Sequence, residues 1–201
     1  MIIAEYEIRQ KATNLLKVHN FDTSTAIDIK ELITSTGKPI TIKITDLKGI
    51  SGFTCHNAKN NSYRMFFDET LIDGCPARLN FTAAHELGHI ILGHFANIDN
   101  SLTMNYKKER EANIFVDELL MPTISVMQYK LCTNEIAMIY DVSITAAHNK
   151  VKYISKNAIY IRERAKEYNY KVLRNSLRLR HDDYCVQYLH ENWLDPDFSP
   201  L

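Results

Sequence analysis

An α+β fold is predicted for this 201-residue chain, and three observations predict it. Apolar residues recur at helical spacing over the first 35 positions, alternate as in a strand over 39–68, and return to helical spacing from 77 onward. Composition agrees: 45% hydrophobic and 24% charged residues describe an ordinary globular protein. A chain of this length buries roughly 70% of its unfolded surface, enough for a core.

The elements follow in order. Ile8, Ala12, Leu15, Leu16 and His19 fall near one face and predict a helix over 4–19. A second, short helix is expected over 26–35, ending before Gly37 and Pro39. Ile40, Ile42 and Ile44 then alternate with Thr41 and Lys43, the signature of a half-buried strand. Residues 50–56 predict another strand, and Tyr63, Met65 and Phe67 a third over 62–67, with turn-rich Asn57–Asn61 as the hairpin loop between them. The expectation for 39–68 is therefore a small antiparallel three-stranded sheet. Asp73-Gly74-Cys75-Pro76 leads into a helix over 77–93, with Gly93 as its stop signal. A loop is expected over 95–105, then a helix over 106–120 with Ala112, Phe115, Val116 and Leu119 on one face and Met121-Pro122 after it. Only helices are predicted beyond, over 123–131, 133–140, 143–156 and from 158 to 168. This divides the chain into a region 1–122 and a helical C-terminal region 123–201.

Lys plus Arg and Asp plus Glu each number 24, so the formal net charge is zero. That argues against a strongly electrostatic nucleic-acid binder and against a polybasic membrane protein. Cys55, Cys75, Cys132 and Cys185 form no Cys-x-x-Cys pair and are too sparse for a disulfide scaffold. The N-terminal MIIAEYEIRQKATNLL lacks the pattern of a signal peptide, and no apolar run approaches a membrane span. A cytoplasmic protein without a membrane partner is expected. Charge is uneven only at the end: 161–180 holds seven Lys or Arg against two Glu, and 181–201 holds five acids and no Lys or Arg. That pattern reads as a basic helix beside an acidic tail.

Chemistry concentrates in His85-Glu86-Leu87-Gly88-His89. On a helix, residues four apart leave the same face one turn apart, so both imidazoles can reach one zinc ion. Glu86, beside them but off that line, is the expected catalytic base. A catalytic zinc needs a third protein ligand. The long zincin pattern would place a glycine and a further histidine where Leu92 and Phe95 stand. His94, on a continuous helix, would point about 140° away from His89. The third ligand expected is Glu111, one turn before Phe115 and near the buried face, with Glu118 in reserve. Glu109 is about 200° away from Glu111 on the wheel and is expected to face solvent.

Asn80-Phe81-Thr82-Ala83-Ala84-His85-Glu86-Leu87-Gly88-His89, followed by Glu111-Ala112-Asn113-x-Phe115 and Leu119-Leu120-Met121-Pro122, resembles the ImmA/IrrE-type zinc metallopeptidases. Val116 stands where that family usually has Ala. The resemblance implies a zincin-like fold over about 1–122 and a zinc-dependent, site-specific protease of bacteria, phages or mobile elements. Its usual substrate would be a helix-turn-helix repressor, whose cleavage relieves repression. Carried over, His85, His89 and Glu111 would be metal ligands and Glu86 the base.

Such a site wants an acceptor to orient each imidazole, with Asn113 and Asp117 as candidates, and an oxyanion donor among the Tyr or His residues. A strand of the 39–68 sheet is a candidate to pair with extended substrate. Residues 134–151 have helix-turn-helix-like spacing, with Asp141 where a turn glycine is commoner. Of the recognition slots Thr145, His148, Asn149 and Lys150, only one is basic, which makes direct DNA binding the weaker reading. The alternative to a protease is a zinc-binding regulator that binds a repressor or DNA without cutting. Glu86 favours the protease, because a purely structural site needs no base.

Overall fold

The computed structural model describes residues 2–72, 74, 76–95, 102–158 and 161. The chain divides into two compact units, Met1–Leu120 and Met121–Leu201. The first is α+β. Helix α1 (Ile2–Val18) buries Ile8, Ala12 and Leu16, the spacing that predicted it. Helix α2 (Ile29–Ser35) starts where the Glu31 amide donates to the Asp28 carboxylate, so this aspartate satisfies one of the first free amides.

Strands β1 (Ile40–Thr45), β2 (Gly52–Asn57) and β3 (Ser62–Asp68) form one sheet in the order β1-β3-β2. The β2–β3 hairpin is antiparallel, as expected, but β1 runs parallel to β3. The sheet is therefore mixed, which corrects the all-antiparallel expectation. Its cause is the connection over 46–51, which strides past the end of β3 instead of turning back beside β1. Asp68, at that end, anchors the connection: its carboxylate accepts from the Leu47 amide at 2.7 Å, and its own amide donates to the Ser51 carbonyl at 3.0 Å. β3 is the central strand and carries the buried Met65 and Phe67.

A single 3-10 turn (Glu69–Leu71) leads towards α3 (Pro76–Leu92). Gly93 ends α3 with φ +75°, the left-handed conformation that favours glycine. Helix α4 (Leu102–Leu120) begins earlier than expected, so 102–105 is helical rather than loop, while 96–101 lies outside the described residues. α4 packs on both α1 and α3. Its Ala112, Phe115, Val116 and Leu119 are all essentially inaccessible, and Ala112 and Phe115 lie against Gly88 of α3. Arg9 of α1 is ion-paired with Asp117 and Glu118 of α4, tying these helices together at a nearly dry position.

In the second unit, α5 (Thr123–Tyr129), α6 (Thr133–Ile139) and α7 (144–158) follow one another. Asp141, between α6 and α7, has φ +50°, so it takes the left-handed role a glycine would fill more easily. Ile136, Tyr140, Ala147, Val151 and Ile154 are buried. The basic stretch beyond 161 and the acidic tail lie outside the described residues. No helix among the described residues is long and apolar enough to cross a membrane.

Candidate metal centre

Helix α3 presents its histidines because its other face is committed to packing. Ala84 and Leu87 are fully buried, and Gly88 lets the helix approach α4 closely. What remains is a polar stripe opening on a cleft of about 570 Å³, lined by His85, Glu86, His89, Glu109 and Asn113, by Ser51–Thr54 of the β2 side, and by Arg78, Phe81, Thr82 and Phe95.

His85 Nε2 and His89 Nε2 lie 3.0 Å apart. Glu109 Oε2 is 3.0 Å from His85 Nε2, and Glu109 Oε1 is 3.4 Å from His89 Nε2. These three residues each offer one ligand atom, all within 4.8 Å of one another, and form a group that can hold a metal ion. Their spacing suits zinc: legs of roughly 2.0–2.1 Å give a tetrahedron edges of about 3.3–3.4 Å. The donor set suits it too, two imidazole nitrogens and one carboxylate oxygen. Burial first, then repulsion from His85, His94 and Lys108, pushes the His89 pKa down to about 3. The ring is thus neutral at pH 7, the form that offers a lone pair.

The structure brings Glu109, rather than the expected Glu111, to the two imidazoles. Both flank the buried stripe of α4, on opposite sides, and it is the Glu109 side that overhangs the histidines. Glu111 instead places Oε2 3.2 Å from His94 Nε2. His94 differs from expectation as well. The helix stops at Leu92, and the left-handed Gly93 folds the chain back, so that the His94 amide donates to the His89 carbonyl at 3.0 Å. The His94 ring then meets His89 Nδ1 to Nδ1 at 3.0 Å. Burial lowers the His94 pKa, against the opposing pull of Glu111. Asp117, an expected orienting group, pairs with Arg9 away from the histidines, and the reserve Glu118 is buried against the same arginine. Asn113 does line the cleft.

Glu86 is only 8% exposed. Its Oε2 accepts a 2.7 Å hydrogen bond from the Thr54 hydroxyl of β2. Burial holds its carboxyl above the ordinary carboxylate range, with Thr54 and His85 pulling the other way and Glu109 adding repulsion. Thr54 was not singled out from sequence, where a strand threonine carries no signal of a partner 32 positions away.

Arg78, one turn before Thr82 on α3, donates to the Ser51 hydroxyl at 2.9 Å and joins the helix to the loop entering β2. β2 pairs with β3, and its other edge has no strand partner among the described residues. Phe53, 38% exposed, and Phe81, 42% exposed, add apolar surface to the cleft.

Comparison with curated proteins yields no match. Among solved structures, a Mycobacterium tuberculosis transcriptional regulator aligns with a TM-score of 0.53 at 12% identity over 73% of this chain. The chain spans about half of that protein, 47% of its length, and at this identity the likeness is one of fold. Residues 72–152, which include both histidines and Glu109, match Peptidase_M78, described as the IrrE N-terminal-like domain, and this match supports an ImmA/IrrE-type family.

Proposed function

We propose that this protein is a zinc-dependent endopeptidase of zincin-like fold that cuts a helix-turn-helix repressor. The observation that carries the reading is the convergence, in one cleft, of the His85–His89–Glu109 group with a buried carboxylate, Glu86, held by Thr54. The family match supports peptidase chemistry. His85, His89 and Glu109 would hold the ion, which supplies polarisation of the scissile carbonyl and acidification of water.

The chain's own residues do the rest. Glu86 takes a proton from the attacking water as the oxygen–carbon bond forms, and returns it to the amine nitrogen as the carbon–nitrogen bond breaks. Its burial favours this shuttle, since a carboxyl with a raised pKa is a stronger base than a solvated one. The Thr54 hydroxyl fixes which oxygen is free to receive the proton. The free edge of β2 would align an extended segment of substrate beside the site, with Phe53 and Phe81 covering its apolar side chains.

Direct DNA reading by the second unit is disfavoured by Lys150. It is the only basic residue in the recognition slots, and it is 0% exposed.

The test is cleavage of purified helix-turn-helix repressors by wild type and Glu86→Gln in parallel, with zinc measured on both. Wild type should cut, and Glu86→Gln should hold zinc without cutting. If both hold zinc and bind a repressor but neither cuts, the protein is a non-proteolytic regulator. Glu109→Ala should lose zinc. Full retention there would return the third position to another group.

A further inference from the structure

We infer that His94 and Glu111 form a positioning relay that fixes the tautomer and orientation of His89. The inference rests on reading His85, His89 and Glu109 as the metal centre. His89 Nε2 faces His85 and Glu109, while His89 Nδ1 faces His94 Nδ1 at 3.0 Å. Only one proton fits between two nitrogens at that distance. For His89 Nε2 to offer a lone pair, its own proton must sit on Nδ1. His94 Nδ1 must then accept it, and the His94 proton must sit on Nε2. That nitrogen lies 3.2 Å from Glu111 Oε2, which has only acceptors to offer. One assignment therefore satisfies every atom in the row. Glu111 accepts from His94 Nε2–H, His94 Nδ1 accepts from His89 Nδ1–H, and His89 Nε2 is left bare towards the centre.

The reverse assignment, with His94 Nδ1 donating, would put the His89 proton on Nε2 and block ligation. A carboxylate at the far end is what selects between the two. Geometry supports a dedicated arrangement. The His94 side chain is 7% exposed, and its placement depends on the turn at Gly93. His85 differs, since its Nδ1 is buried with no hydrogen-bond partner among the described residues. The relay is thus specific to one of the two histidines. Neither His94 nor Glu111 need touch substrate or metal, so both are positioning residues.

Zinc affinity, measured by competition with a chelating dye on the full chain, tests this without any substrate. His94→Phe keeps the ring's bulk without an acceptor, and Glu111→Ala removes the end carboxylate. Each should weaken zinc binding by about 10–100-fold, the usual effect of losing such an orienting partner. His94→Gln can accept at one end and donate at the other, and should restore most of the affinity.

The two losses should not add: with His94→Phe in place, Glu111→Ala should cost nothing more, because Glu111 acts through His94. Imidazole nitrogen NMR of the zinc-free protein should show His89 as the Nδ1–H tautomer in wild type and a mixture in Glu111→Ala. Should His94→Phe not fold, Glu111→Ala and His94→Gln carry the test, because the Glu111 side chain is partly exposed. Wild-type affinity in His94→Phe and Glu111→Ala, or additive losses, would overturn the relay. Failure of the wild type itself to bind zinc, or full binding by His89→Ala, would instead overturn the metal-centre reading beneath it.

Discussion

Gly88 stands between the two histidines where α3 meets Ala112 and Phe115 of α4, and replacing it with alanine tests whether that contact sets the site. A Cβ there would lie 3.1 Å from Phe115 Cδ1, 3.6 Å from Phe115 Cγ and 3.7 Å from the Ala112 Cα. Carbon atoms prefer about 3.5–4.0 Å, so the ring or the helix must retreat by several tenths of an ångström. Phe115 is 0% exposed, so the ring has no open side to move into. Two effects compete. Helix propensity alone favours alanine by about 0.8–1.0 kcal/mol. Overpacking a well-packed core costs about 1–3 kcal/mol. With the contact already on a fully enclosed ring, overpacking wins, and the expected net loss is about 1 kcal/mol.

Urea unfolding of the zinc-free protein reads this as a lower midpoint at an unchanged slope. The same substitution should weaken zinc binding, because the helices it separates carry His85 and His89 on one side and Glu109 on the other. Phe115→Leu, made in the alanine background, should recover part of both losses, with a coupling of about 0.5–3 kcal/mol between these touching positions. A Gly88→Ala protein that is more stable than wild type by the helix-propensity amount, with unaltered zinc affinity, would refute the reasoning. It would mean that the seam between the helices has slack and does not hold the metal group in register.

Three further outcomes are expected. Thr54→Val removes a hydrogen bond to a charged, buried group, worth about 1.5–3 kcal/mol, so turnover should fall about 10–100-fold at unchanged zinc content; unaltered turnover would deny Thr54 its role. Arg9→Met removes an ion-pair partner of Glu118, whose side chain is 5% exposed, and should cost about 1.5–3 kcal/mol in chemical denaturation; an unchanged midpoint would deny that pair its part in joining α1 to α4. Asp68 is held below the ordinary carboxylate range by the Thr70 hydroxyl and the Leu47 and Thr70 amides, so it stabilises the fold above its unfolded pKa and loses that contribution as pH falls through its folded one. Asp68→Asn should therefore flatten the acid limb of the stability profile below about pH 4, and an unchanged slope there would count against that anchor.

Much of the fold and site was legible, and the misses share one cause. Helix positions came from apolar spacing that packing later used: Ile8, Ala12 and Leu16 predicted α1 and are buried in it. The two histidines and Glu86 follow from spacing within one helix, and the structure keeps them together. Strand pairing was less accessible. Alternation in Ile40–Ile44 and Tyr63–Phe67 says that each is a strand, but not that β3 slips between β1 and β2 and pairs in parallel with the first. Which carboxylate of α4 lies beside the two imidazoles was inaccessible for a similar reason. A helical wheel puts Glu109 and Glu111 on opposite flanks of the stripe made by Ala112, Phe115 and Val116, and both flanks are equally compatible with a buried face. Which flank overhangs the histidines depends on how α4 crosses α3. One local signal was available: Glu109 and Asn113 are four apart and share a side, and both line the cleft.

His94 shows where wheel arithmetic stops applying. The rotation of about 140° from His89 holds for a continuous helix, whereas Gly93, with φ +75°, ends this one. A residue beyond that stop is no longer on the wheel. A left-handed residue after a helix sends the chain back across its last turn, and here it returns the His94 ring to 3.0 Å from His89. The same turn carries Phe95 to the aromatic rings of His56 and Tyr63, with centroids 6.0 and 5.8 Å away. Leu92 and Phe95 thus break the long zincin register without emptying the region of function. Instead of a histidine at the register's third position, His94 stands against the far nitrogen of His89, and Glu111 stands behind His94 in turn. On the proposed metal-centre reading, Glu109 would face the ion directly and Glu111 would act on it through the His94 and His89 rings. Their alternation along α4 is what lets a single helix serve both positions.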